Sequence, residues 1–274
     1  MDEPPRNTAQ MDSPSYRLAV QDPDFLLREE LRALRFQLEY AKADLLLRDW
    51  GVRSTIIVFG SARVPSPEQA QAWIDSAKTE EEVAFARQRA AQLPWYEAAR
   101  EFGRIASERG GAFAPQRRWR DNVIATGGGP GVMEAANRGA LEVGAPSIGF
   151  NITLPHEQEP NAWTTPALTF RFHYFAIRKM HLAARARALV VFPGGFGTLD
   201  ELFEILTLQQ TTKMPPTPVV LFDQAFWRQV VSFDALVEHG MIAPGDVELF
   251  SFADTAEEAW AQLVERGVAE PAQG

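Results

Sequence analysis

Three stretches of the chain join glycines to groups that bind anions. The densest is Pro193-Gly194-Gly195-Phe196-Gly197-Thr198-Leu199-Asp200-Glu201, directly after the apolar run Ala188-Leu189-Val190-Val191-Phe192. Glycines in such a place let backbone N–H groups come close to a ligand, and a helix starting there turns its positive end toward it. Two earlier apolar runs end in the same way, in Gly60-Ser61-Ala62-Arg63 and in Thr126-Gly127-Gly128-Gly129-Pro130-Gly131. One such turn is explained by tight geometry alone. Three of them, each at the end of a strand, point to a phosphate site.

Charged side chains near these turns have two readings each. Thr198 and Glu201 match a capping box, with Thr198 as N-cap and Glu201 three residues on. Capping does not account for the Pro-Gly-Gly-Phe-Gly before it, and in the second reading Glu201 faces the ligand beside the phosphate. Asp200 and Glu204 read as first-turn acids that favour the helix dipole. Arg178-Lys179 opens a further helix after the strand-like Thr169-Phe170-Arg171-Phe172-His173-Tyr174-Phe175. It is either a solvated helix face or a second set of ligand contacts. Glu157 lies in a proline-flanked loop, where an acid is ordinarily just solvated.

The common nucleotide and metal motifs are absent. There is no G-x-x-x-x-G-K-[ST], and G-x-G-x-x-G fails because Val132 and Asp200 stand where the third glycine belongs, which disfavours a dinucleotide oxidoreductase. No H-E-x-x-H occurs, and four scattered histidines give a metal site little support. Without cysteine, disulfides, thiolate metal sites and thiol nucleophiles are excluded. The net charge of -9 is opposite to that of a general nucleic-acid binder. The acidic, proline-rich start is unlike a signal peptide, and no apolar run is long enough to span a bilayer. The expected compartment is the cytoplasm.

The elements that must position these groups follow from periodicity. Residues 1–20 are polar and proline-rich, and are expected to be a disordered tail. Residues 24–50 carry apolar side chains at three- and four-residue steps, so a long helix is expected within 21–50. The polar stretch 66–81 reads as an insertion, and 82–109 as helix broken or kinked at Pro94. Apolar runs at 54–60, 123–126, 146–152, 169–175, 188–192 and 217–223 alternate with helical patterns, and two helical stretches finish the chain. That alternation implies one α/β domain over 51–270, a parallel sheet flanked by helices in three layers.

Together these pieces resemble the Lonely Guy (LOG) family, the cytokinin riboside 5′-monophosphate phosphoribohydrolases, whose members have also been labelled lysine decarboxylase-like. Residues 193–201 match its signature P-G-G-x-G-T-x-x-E in full. Arg178-Lys179 matches its R-K pair, and the two earlier glycine loops match as well; the resemblance spans residues 55–222. It implies a Rossmann-like fold, hydrolysis of the N-glycosidic bond of a nucleoside 5′-monophosphate, and homo-oligomers from dimer to hexamer with sites near subunit contacts. By motif position Arg178 and Glu201 correspond to the catalytic pair. Substrate contacts are expected from Gly60, Ser61, Gly127, Gly128, Lys179, Gly194, Gly195, Phe196, Gly197 and Thr198, and from Glu157 and Thr207, which match further ligand positions. One departure is that short members have a Met-His or similar pair just before Arg-Lys, where this chain has Tyr174-Phe175-Ala176-Ile177. The N-terminal helix and the Phe172-His173-Tyr174-Phe175 segment resemble the family's longer subgroup. The base is therefore open between adenine and N6-prenylated adenine.

The chemistry implied needs no metal and no organic cofactor. Pyridoxal phosphate chemistry would need a Schiff-base lysine with an acidic partner for the ring nitrogen, and beyond Lys179 nothing supports it. The competing reading is a non-catalytic carrier of a nucleotide or phosphorylated cofactor on the same fold. The presence of both Arg178 and Glu201 favours the enzyme.

Overall fold

The computed structural model describes residues 7–154 and 159–268. Its strands are β1 Thr55–Phe59, β2 Val123–Thr126, β3 Ser147–Ile152, β4 Thr169–Phe172, β5 Ala186–Val191, β6 Val219–Phe222 and β7 Phe250–Ala253. Beyond single turns, the helices are α1 Arg32–Asp49, α2 Pro67–Ser76, α3 Glu80–Ala90, α4 Leu93–Arg109, α5 Val132–Glu142, α6 Phe175–Ala184, α7 Phe196–Gln210, α8 Gln224–Val230, α9 Phe233–Glu238 and α10 Ala256–Glu265. All seven strands run parallel in one sheet, in the order β4-β3-β2-β1-β5-β6-β7.

Unbroken apolar runs suit strands covered on both faces, and β1, β2 and β6 are buried at every residue. Because side chains alternate along a strand, the same runs feed two cores. Ile56, Val58, Ile124 and Val190 pack with Phe102, Ile105 and Val132 of α4 and α5. Ile57, Phe59, Ala125 and Leu189 pack on the other side with Leu182 of α6 and Leu202 and Ile205 of α7. The result is the expected three-layer, Rossmann-like α/β fold with a helical N-terminal extension.

Several boundaries differ from the sequence expectations. The long N-terminal helix starts only at Arg32. Before it come a single turn, Pro23–Leu26, capped by Asp22, and the 3₁₀ turn Glu29–Leu31. Arg28 is extended between them, and the Arg35 guanidinium bridges the break, donating to Leu26 O at 3.0 Å and to Arg28 O at 2.6 Å, the latter also accepting from Leu31 N at 3.0 Å. Residues 7–20 of the expected disordered tail carry short helical turns, with every side chain but Ser13 exposed. The supposed insertion holds α2, opened by the Ser66/Gln69 capping box, and Pro94 sits at the start of α4 rather than in a kink. The chain ends on three helices and a seventh strand that the periodicity missed. That strand, β7, has four residues and lies at the sheet edge beside β6.

Candidate functional site

Strand order reverses between β1 and β5, and in an open parallel sheet ligands bind in the crevice at the carboxyl ends of such a pair. The two strand ends are tied together there. Phe192 N donates to Phe59 O at 2.8 Å and Ser61 N to Pro193 O at 2.9 Å. Thus the Gly60-Ser61 and Pro193-Gly194 turns lie side by side. Val132 N donates to Ser61 O at 3.2 Å, which brings the start of α5 against them.

The third turn is the most open. α7 begins at Phe196 with Gly195 as N-cap and no side-chain cap, so the capping-box reading of Thr198 and Glu201 is overturned. Thr198 occupies the third helical position, where its side chain folds over Gly194; a Cβ on Gly194 would stand 2.1 Å from Thr198 Oγ1. Gly195 and Gly197 differ, because a Cβ on either would meet nothing within 4 Å. Phe196 between them is 92% exposed. The first amides of a helix have no partner within it, and here they open toward solvent beside bare glycines.

Glu201 stands one turn further in and is buried, as is Arg178 on α6. Arg178 Nη2 donates to Glu201 Oε1 at 2.6 Å. The guanidinium also lies over the Phe175 ring, 5.3 Å from its centre, and its Nε is buried without a partner among the described residues. Gly127 lies beside it: a Cβ there would be in ordinary contact with Arg178 Nη1 at 3.5 Å and would crowd Met133 Sδ at 2.9 Å. Burial pushes the Glu201 carboxyl above the usual carboxylate range, while the charges of Arg178 and Lys179 oppose that rise. The site therefore holds a desolvated carboxylate, a fixed cation and an uncapped helix N-terminus together.

The remaining sequence candidates divide. Gly60 is required by packing, because a Cβ would meet Val132 at 2.6 Å. Gly128, at φ +69°, lies against the Asn151 amide. Lys179 is braced by Asp200 at 2.8 Å and Glu204 at 3.0 Å, so these two acids are ion-pair partners rather than simple first-turn acids. Burial works against the Lys179 charge, but those hydrogen bonds together with the charges of Glu201 and Glu204 hold its pKa above the ordinary lysine value. Thr207 is exposed and about 9 Å beyond Glu201 along α7, on a different face. Glu157 lies outside the described residues. Two contributors had no local signal in the sequence: Phe175 beneath the guanidinium, and Glu39, whose carboxylate reaches α6 from α1. Among the described residues no acidic or histidine cluster is built to hold a metal, and no helix is long and apolar enough to cross a membrane.

The chain is similar to several known proteins. Residues 133–263 match the family model described as "Possible lysine decarboxylase". The chain is 37% identical over 90 residues to the cytokinin riboside 5′-monophosphate phosphoribohydrolase LOG3 of Arabidopsis thaliana, covering 32% of this chain and 41% of that protein. It is 28% identical over 148 residues to the probable cytokinin riboside 5′-monophosphate phosphoribohydrolase LOG4 of Oryza sativa subsp. japonica, covering 53% and 63%. The matched region thus spans less than two thirds of either relative. Among solved structures, the molybdenum cofactor binding protein from Rippkaea orientalis superposes with a TM-score of 0.47 and 17% identity, over 79% of this chain and 99% of that one.

Proposed function

We propose that this chain, which belongs to the Lonely Guy (LOG) family, hydrolyses the N-glycosidic bond of a nucleoside 5′-monophosphate, AMP or an N6-modified AMP, to the free base and ribose 5-phosphate. The observation that carries the reading is the buried Arg178–Glu201 pair, 2.6 Å across, beside the uncapped glycine turn of α7. A phosphate at the α7 N-terminus anchors the sugar, and this remote binding energy lowers the barrier at C1′.

As the C1′–N bond breaks, positive charge builds on C1′ and O4′, and electron density moves to the leaving base. The Glu201 carboxylate stabilises the former, orients the water whose oxygen bonds to C1′ and accepts the proton that water sheds, while the departing base takes up a proton from solvent. Arg178 holds Glu201 in place and stabilises the departing base electrostatically; a guanidinium is too basic to give up its proton. Water exclusion at the buried pair strengthens both effects. In this reading Lys179 braces α6 against α7. Its raised pKa is opposite to what a Schiff-base amine needs, so the decarboxylase description finds no support in it.

The protein acts as a homo-oligomer, a dimer at least, since Leu34, Leu38 and Leu45 leave apolar surface open on α1. The deciding experiment is a screen of nucleoside monophosphates for free-base release. Release from none of them would remove the enzymatic reading.

A further inference from the structure

We infer that α1 is a splint for the helix that carries Arg178, with Glu39 as the positioning residue; the inference rests on the catalytic reading of Arg178. α6 has no side-chain cap of its own. The Glu39 carboxylate, coming from α1, accepts the backbone N–H of His173 at 2.8 Å and of Tyr174, the N-cap, at 3.3 Å. A carboxylate at this end of a helix satisfies open donors and is attracted by the dipole.

Tyr174 is gripped twice more. Arg35 Nε donates to its hydroxyl at 3.2 Å, and Phe36 meets its ring edge-on at 4.4 Å. Its carbonyl in turn accepts the backbone N–H of Arg178 at 3.2 Å. The residue that α1 grips is therefore the one to which the Arg178 backbone is bonded. Farther along, Tyr40 stacks on the buried His181 at 4.8 Å, and Asp44 Oδ1 accepts from Arg185 Nη2 at 2.6 Å. Contacts advance together along both helices, so α1 lies alongside α6 and holds it at both ends.

Core covering does not explain this arrangement. Within α1 only Ala43 and Leu47 are buried, while Leu34, Leu38 and Leu45 face outward. Apart from the bonds of Arg35 to the preceding turn, the directed contacts of α1 are polar and aromatic and reach α6 or the residues flanking it. A displacement of about 1 Å at a catalytic group can cost on the order of a hundredfold in rate, which gives such a splint a function.

The test compares Glu39→Ala, Glu39→Gln and the exposed-site control Gln37→Ala with the unaltered chain. Base release from AMP is read as kcat and KM. The ¹⁵N resonance of Arg178 Nε, assigned by its loss in Arg178→Lys, is read alongside. In Glu39→Ala kcat should fall by about tenfold or more with KM little changed, and the Arg178 resonance should shift or broaden. Glu39→Gln keeps an acceptor oxygen and should restore most of both; Gln37→Ala should match the unaltered chain. An unmoved Arg178 resonance in Glu39→Ala overturns the inference, even where the melting temperature and rate fall. If the unaltered protein releases base from no nucleotide, the catalytic reading fails, and the resonance alone still decides whether Glu39 positions Arg178.

Discussion

Arg178 Nη2 and Glu201 Oε1 stand 2.6 Å apart in a site where both side chains are buried, although the residues lie on different helices. That relationship changes what substitution of Glu201 should do. A capping glutamate would tolerate Gln with little effect on folding. At a buried ion-pair partner two effects oppose each other: Gln relieves the burial penalty of the carboxylate, and it leaves the Arg178 charge without a counter-charge. Because burial outweighs pairing at Glu201, Glu201→Gln should melt at a temperature close to that of the unaltered protein. Assayed well below that temperature, it should lose roughly two orders of magnitude or more in turnover while still binding AMP through the backbone amides of α7. Near-normal turnover per folded molecule would remove Glu201 from the mechanism.

The raised pKa of Glu201 predicts a pH dependence. The ionised carboxylate performs the chemistry, so the acid limb of kcat/KM should lie above the ordinary glutamate value of about 4.3. Arg178 opposes the rise, and Arg178→Ala should move the limb higher still. Comparing the two proteins cancels the titration of the substrate phosphate. For folding, a carboxyl that binds its proton more tightly when folded opposes stability increasingly as pH rises from the ordinary value to the folded one. A limb at or below the ordinary value in the unaltered protein would contradict the burial argument.

Glycines of the α7 turn should separate by role. Gly194→Ala sets a methyl against Thr198 and should destabilise the fold. A methyl at Gly195 or Gly197 meets open space, and at Gly197, inside the helix, alanine should add about 0.5–1 kcal/mol of stability. Both of these variants should nonetheless lose AMP affinity by at least about tenfold, or ~1.4 kcal/mol, if phosphate occupies that space. Calorimetric titration alongside thermal melts reads both quantities. Unchanged affinity in both would place the phosphate elsewhere.

Phosphate anchoring predicts discrimination between nucleotide and nucleoside. AMP should be cleaved at least about a hundredfold more efficiently than adenosine, equivalent to ~2.7 kcal/mol at the transition state. Equal kcat/KM values for the two would refute the anchor.

The outward face of α1, with Leu34, Leu38 and Leu45 exposed, predicts self-association. Light scattering at micromolar concentration should give a mass of at least two chains; a mass near 30.5 kDa would count against it.

Local sequence carried most of the layered fold and the place of the candidate site. Short, β-branched apolar runs such as Ile56-Ile57-Val58-Phe59 suit strands covered on both faces, and the glycines that follow them mark the strand ends at which ligands bind in such sheets. Pairing a signature glutamate with an arginine upstream was equally legible from the motifs. Helix boundaries were less so. Thr198 and Glu201 obey the capping spacing, yet α7 starts at Phe196, because the bare Gly195 turn lets the helix begin earlier and the Thr198 side chain packs over Gly194. Nor does any local pattern bring Glu39 to Tyr174, or Asp200 and Glu204 to Lys179. Those contacts join residues far apart along the chain, and only the packing of α1 and α7 against α6 makes them neighbours. Burial of Glu201 is decided at the same level: its charge is written in the sequence, but the desolvation that raises its pKa comes from the elements that close around it.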